Sequence, residues 1–253
     1  MKKYKITYAD DMKSEDITWH DVAHHLSIAM VNMKHLKEYG NPVYTGHMDL
    51  ALVYPVVRAT TSESIVYMLK QKDLDNLGVT KQDVHDMAVK NALNERRFRI
   101  TPLSETFDTE LLAPIAKGAP GTPFKTGVEP SRATIVDVDP VTGEENILAC
   151  HRKNRPFGAA YMFLPSVLEE VSKRFNKQDF YIVPISAHSV WFIKNSYVSN
   201  NGKKSYRDVE IDLLDMLEEF NDEQNESWRD VLTYQVYYYM GGENQILMPI
   251  ANS

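Results

Sequence analysis

The chain has 253 residues and a net charge of −7, with 43% hydrophobic and 25% charged residues. That composition supplies a sizeable core and excludes a disordered or low-complexity chain. Net acidity repels the phosphate backbone at long range, so nucleic acid is disfavoured as a partner. A lone cysteine, Cys150, rules out an internal disulfide and a cysteine-based zinc site. It points instead to a reducing, cytoplasmic compartment. No signal-peptide pattern opens the sequence. The longest apolar runs, such as Leu50 to Val57, fall far short of the ~20 residues a membrane span needs.

Tyr4, Ile6 and Tyr8 alternate with polar residues and predict a short first strand. Thr18 is placed to cap a helix, with Asp21 three residues on. Val22, Leu26, Met30 and Met33 continue at helical spacing toward Leu36, and Gly40 with Asn41-Pro42 ends the run. The apolar stretch Met48 to Val57 suits a buried strand, with Pro55 marking a bend or an edge. Ser62 to Leu69 fits either a strand or the start of a helix. Asp73 to Leu77 reads as a short helix stopped by Gly78. In the next helix, running to about Asn94, Thr80 and Asp83 form a capping box and Val79 faces Val84 as a hydrophobic staple.

Arg96 to Arg132 is the least regular stretch, with five prolines and three glycines. A loop of that length is expected to be functional or an insertion. Ala133 to Val138 and Asn146 to Cys150 predict two strands about a turn from Asp139 to Gly143. Pro165 suits the first turn of a helix through Phe175. Phe180 to Pro184 and Val190 to Ile193 predict a strand pair. Ile211 to Phe220 is an amphipathic helix, Trp228 to Tyr239 reads as another, and Ile246 to Ile250 as a closing strand. Strands and helices lack a regular βαβ alternation. That predicts a single α+β domain over residues 1–253, with a mixed, largely antiparallel sheet and flanking helices.

Three stretches carry a family resemblance: GHMDLALVYPVV with the following LDNLGVTKQDVHDMAVKNAL, then PFGAAYMFLPSVLEEVSKRFNKQDFYIVPISAHSVWFI, and finally LLDMLEEFNDEQ with VLTYQVYYY. In collinear order over roughly residues 40–240, they resemble a bacterial family of unknown function found in low-GC Gram-positive anaerobes. The chain departs from that family in a short N-terminal segment and in the loop from Arg96 to Arg132. The resemblance implies a protein of a bacterium or its mobile elements, and it implies no known activity.

Several constellations carry chemistry. His20 and His24 lie four apart, so on a helix they face one side and are the candidate metal ligands. The zinc-protease motif needs Glu beside the first histidine, and Asp21 is one methylene shorter. No downstream third ligand stands at the expected spacing, and surface histidines beside a capping aspartate account for the pattern. His47 and Asp49 flank Met48, and strand alternation puts both on one face, where Asp can orient an imidazole. Asp49 accepting hydrogen bonds at a strand entry is the structural alternative. Ser186 and His188 alternate likewise, without the GxSxG elbow of a nucleophilic serine, and a tight strand connection explains them as well. Cys150 and His151 are neighbours and point to opposite faces of a strand, so they form no thiolate–imidazole pair.

Arg96, Arg97 and Arg99 form one basic cluster, and His151, Arg152, Lys153 and Arg155 a second. Converging, they would suit a phosphate or an acidic partner. Neither a P-loop nor GxGxxG is present, and no cofactor is implied. Tyr234, Tyr237, Tyr238, Tyr239 and Trp228 give an aromatic C-terminal segment of the kind enriched at protein interfaces. Every catalytic arrangement lacks a member, so the expected function is a non-enzymatic interaction or regulatory protein with a protein partner or a second copy of itself. The alternatives are a hydrolase or metal-dependent enzyme using the histidines and aspartates, and a small-ligand or phosphate binder using the arginines.

Overall fold

The computed structural model describes residues 5–9, 18–59, 63–94, 98–103, 138–139, 142–152, 157–199, 202–224, 228–243 and 245–247. The fold is α+β, with open and mostly antiparallel sheets. Strands β1 (Lys5–Ala9), β5 (Pro55–Ala59) and β6 (Glu63–Met68) form one sheet in the order β1-β6-β5. Strands β2 (Ala29–Asn32), β3 (Tyr44–His47) and β4 (Leu50–Val53) form a second, ordered β2-β4-β3. The third has six strands in the order β12-β11-β9-β10-β8-β7. These are β7 (Phe98–Pro102), β8 (Ile147–Arg152), β9 (Phe180–Ser186), β10 (Ser189–Lys194), β11 (Tyr237–Met240) and β12 (Gln245–Leu247). β1 and β6 pair in parallel, and the other strand pairs are antiparallel.

The helices are α1 (Trp19–Ala23), α2 (Gln71–Leu77), α3 (Lys81–Leu93), α4 (Pro165–Arg174), α5 (Asn195–Val198) and α6 (Tyr206–Gln224). Among the described residues no helix is long and apolar enough to cross a membrane. The six-stranded sheet is buried on both faces, which is why its central strands read as unbroken apolar runs. Alternate residues Cys150, Phe180, Ile182, Val190 and Phe192 join a core under α3 and α4. The others, Ala149, Tyr181, Val183, Trp191 and Ile193, meet Val209, Leu213, Met216 and Leu217 of α6. Pro55 ends the apolar run of β4 and opens β5, so the chain changes sheets at Tyr54.

Two expected helices are corrected. The one starting at Thr18 has its predicted capping box with Asp21 but stops at Ala23. Leu26 then bridges Val56, and β2 pairs with β4. Leu26, Ile28 and Met30 face one core while Ala29 and Val31 face another. Leu26 and Met30 fit a spacing of four and a spacing of two equally, so periodicity alone misassigns them. Trp228 to Tyr239 is not a helix either. Trp228–Asp230 is a turn, and β11 docks on the free edge of β9, pairing Tyr237 with Ile182 and Tyr239 with Phe180. Within the expected loop from Arg96 to Arg132, Phe98–Pro102 is a strand, drawn into register with β8 through pairs such as Ile100 with Cys150. Residues 104–137, which hold the rest of that loop and most of the strand expected at Ala133, lie outside the described residues. So do residues 248–250 of the closing strand.

Candidate functional site

The polar chemistry gathers at the β3–β4 hairpin and the segment from Trp228 to Tyr237. Met48 and Asp49 form the two-residue turn of that hairpin, with Met48 in the left-handed region at φ 57°. Asp49 spends both carboxylate oxygens on the C-terminal segment. Thr233 Oγ1 donates to Oδ2 at 2.5 Å and the Tyr237 hydroxyl donates to Oδ1 at 2.5 Å. Burial, then the Asp49 charge, pushes the Tyr237 phenol far above its ordinary range, so it stays a donor. No hydrogen bond joins His47 to Asp49. His47 lies against Phe163 at 5.5 Å between ring centroids, and Phe163 meets Tyr237 edge-on at 5.2 Å.

On the inner side of β3, Thr45 and His47 alternate as expected for one face. The Tyr54 hydroxyl sits between Thr45 Oγ1 at 2.6 Å and His85 Nδ1 at 2.9 Å. Burial raises the Tyr54 phenol, so it remains protonated and links the two groups. Burial first, and then the charge of His85, lowers His47 below the ordinary histidine value of 6.5. His85, Tyr54 and Phe163 are absent from the constellations legible in sequence. Tyr54 and His85 stand 31 positions apart on a sheet and a helix, and no local spacing relates them.

Ser186 and His188 belong to the connection between β9 and β10, where Ala187 and His188 form the turn. Ser186 Oγ accepts the His188 backbone N–H at 3.1 Å. His188 Nδ1 accepts the Phe157 backbone N–H at 3.2 Å, and Nε2 lies 3.3 Å from Asp230 Oδ1. A ring whose Nδ1 accepts carries its hydrogen on Nε2, directed at Asp230. Both nitrogens are therefore occupied, and the serine faces the wrong partner for acyl transfer.

His20 and His24 do share a side, their rings meeting edge-on at 4.7 Å, and both are exposed. The Asp21 carboxylate caps Thr18, accepting its N–H and its hydroxyl. Among the described residues no group of three or more His, Cys, Asp or Glu is placed to hold a metal ion. Cys150 is buried, its thiol directed at the Gly158 carbonyl at 3.6 Å, and burial pushes its pKa up. The two basic clusters meet only in part. Arg99 lies opposite His151 across β7 and β8, whereas Arg152 turns inward to Ser27 Oγ at 3.3 Å. Burial, then the Arg99 charge, lowers the His151 pKa. Arg96, Arg97, Lys153 and Arg155 lie outside the described residues.

Residues 3–240 match the family of unknown function DUF5688. The chain belongs to that family. The match includes the β3–β4 hairpin, the helix-and-strand centre and the aromatic segment that packs on it. Curated proteins yield no match, and neither do solved structures.

Proposed function

We propose that this chain is a non-enzymatic interaction protein of the bacterial cytoplasm that engages a protein partner through the exposed side of its C-terminal segment. One observation carries the reading: Asp49, Ser186 and His188, three of the four candidate catalytic residues, spend their polar atoms inside the chain. Asp49 holds Thr233 and Tyr237, His188 holds Phe157 and Asp230, and Ser186 holds a turn amide. Asp49 and His188 hold the segment 228–237, Ser186 holds its own turn, and no free base or nucleophile is left among the three. Outside the same segment stand Met48, Trp228 and Tyr234, exposed at 42%, 39% and 51%. Met48 adjoins Asp49 and Tyr234 adjoins Thr233, so the Asp49–Thr233 bond ties together the backbone positions that carry them. Trp228 is propped at a fixed angle by His35 and Tyr39, at 4.9 and 5.4 Å. Exposed aromatic and methionine side chains are enriched at protein contact surfaces.

The test is a photo-cross-linking residue at position 234 in cells making the protein. One dominant protein adduct is expected, with none from the same residue at position 90 on α3. Equal adducts at both positions, or none at 234, reject the reading. A second reading, an acid–base enzyme, is favoured by His47, whose half-buried imidazole is kept neutral beside His85. Its signature is turnover of some substrate that His47→Gln abolishes without loss of folding.

A further inference from the structure

A half-open groove of about 1010 Å³ runs between α4 and the β11–β12 hairpin. Its floor is apolar, built from Phe163, Leu168, Tyr239 and Ile246, and Lys173 and Lys177 stand at its margin. Among the described residues neither ammonium has an ion-pair partner. Glu169 also lines the groove, so the charge there is two positive against one negative in a chain of net −7.

The backbone is strained where it presents Lys177. Asn176 and Lys177 follow each other in the left-handed region, at φ 55° and 60°, a conformation that costs non-glycine residues energy. The Lys177 N–H closes the end of α4 by donating to the Ser172 carbonyl at 2.7 Å. The hairpin presses against this corner at Gly241, where a Cβ would lie 2.5 Å from the Lys177 carbonyl oxygen. Strain and close approach thus fix the Lys177 backbone beside the apolar floor. A concave apolar floor bordered by a few placed polar groups is a general feature of small-ligand sites.

We propose that the groove binds a free single-chain amphiphile with an anionic head, a medium-chain fatty carboxylate being the simplest, its hydrocarbon on the Phe163–Ile246 floor and its head met by Lys173 and Lys177. The free molecule rather than a bilayer is the source, because the groove is walled by α4 on one side and the β11–β12 hairpin on the other and takes a single chain. This site is separate from the surface around Tyr234, and its outcome leaves the protein-partner reading standing or falling by itself.

The experiment titrates the full chain with decanoate, below its micelle concentration, by calorimetry and by amide chemical shifts. Saturable one-site binding is expected, with shifts confined to residues 163–177 and 239–246. Decanol should bind at least about fivefold more weakly, and Lys173→Ala with Lys177→Ala should weaken decanoate by a similar factor. Gly242→Trp should abolish binding, since Gly242 lines the groove and a Cβ there meets nothing within 4 Å, leaving room for a large side chain. Vesicles containing anionic phospholipid should not bind. Equal affinity for decanol, unchanged binding by Gly242→Trp, vesicle binding, shifts elsewhere, or no binding each overturns the proposal. The shift map on the unaltered chain decides the matter should the variants fail to fold.

Discussion

Gly158 leaves no room for a methyl group: a Cβ there would lie 2.2 Å from the His188 carbonyl oxygen and 2.9 Å from the Cα of His151. The 3-10 turn Gly158–Tyr161 is wedged between β8 and the β9–β10 turn, and only a bare backbone fits. Gly158→Ala is expected to cost ~1–3 kcal/mol through forced displacement, read by urea unfolding. Asp49 is held by two hydroxyls, and removing it leaves both donors without their acceptor. Asp49→Ala is expected to cost ~1–3 kcal/mol, and a cycle with Tyr237→Phe should show coupling of ~0.5 kcal/mol or more. Protonation adds a pH signature. His47 and His151 both have folded pKa values below the ordinary 6.5. The unfolded chain therefore binds more protons in mild acid, and stability is lost as pH falls below about 6.5. His47→Gln should flatten that acid limb of the stability profile. Tyr8 gives the opposite limb. Burial raises it to about 12 against 10.0, partly countered by Arg229, so stability present below pH 10 falls away between pH 10 and 12.

The elements differ in how far local signals carry them. α3 begins where its box says it should: the Asp83 carboxylate accepts the Thr80 N–H at 2.9 Å and its hydroxyl at 2.6 Å. Thr80→Ala is expected to cost ~1 kcal/mol. α4 starts at Pro165 and buries Val167, Leu168 and Val171. Leu168→Ala should cost ~2–5 kcal/mol by cavity formation, and a loss below ~1 kcal/mol would place that side chain outside the core. The strand pair β9–β10 matches its expectation because β-branched and aromatic runs of six or seven residues are too short for a buried helix. β2 and β11 do not, since each is a strand by virtue of a partner. β2 borrows the edge of β4, Ala29 pairing with Val53, and β11 borrows the edge of β9, Tyr237 pairing with Ile182, so no local window places either strand beside its partner.

At the scale of the molecule, the irregular segment Trp228–Val236 is fastened from every side. Asn32 Nδ2 donates to the Leu232 carbonyl at 2.8 Å and Asn221 Nδ2 to the Thr233 carbonyl at 3.0 Å. The Ala187 N–H donates to the Asp230 carbonyl at 2.7 Å, and Asp49 holds Thr233. The Arg229 guanidinium lies over Tyr8 at 4.6 Å and Trp228 at 4.9 Å. Three sheets and α6 thus share one strap, which couples them. Asn32→Ala should accelerate hydrogen exchange at Ala187 as well as around Leu232, since loosening the strap frees both; a change confined to β2 would show that the anchors act separately. The sequence by itself determined the α+β class, the capped starts of α1 and α3, the proline start of α4, a bend or edge at Pro55 and the central strand pair, because caps, prolines and apolar runs act within a few residues. Only the tertiary structure decided that Asp49 serves Tyr237, that His188 serves Asp230 and Phe157, that Tyr54 joins Thr45 to His85, and that Lys177 overlooks an apolar groove. Those pairings span from nine to nearly two hundred residues, and their geometry depends on which strand edges find each other, a choice made by long-range packing that no local pattern encodes.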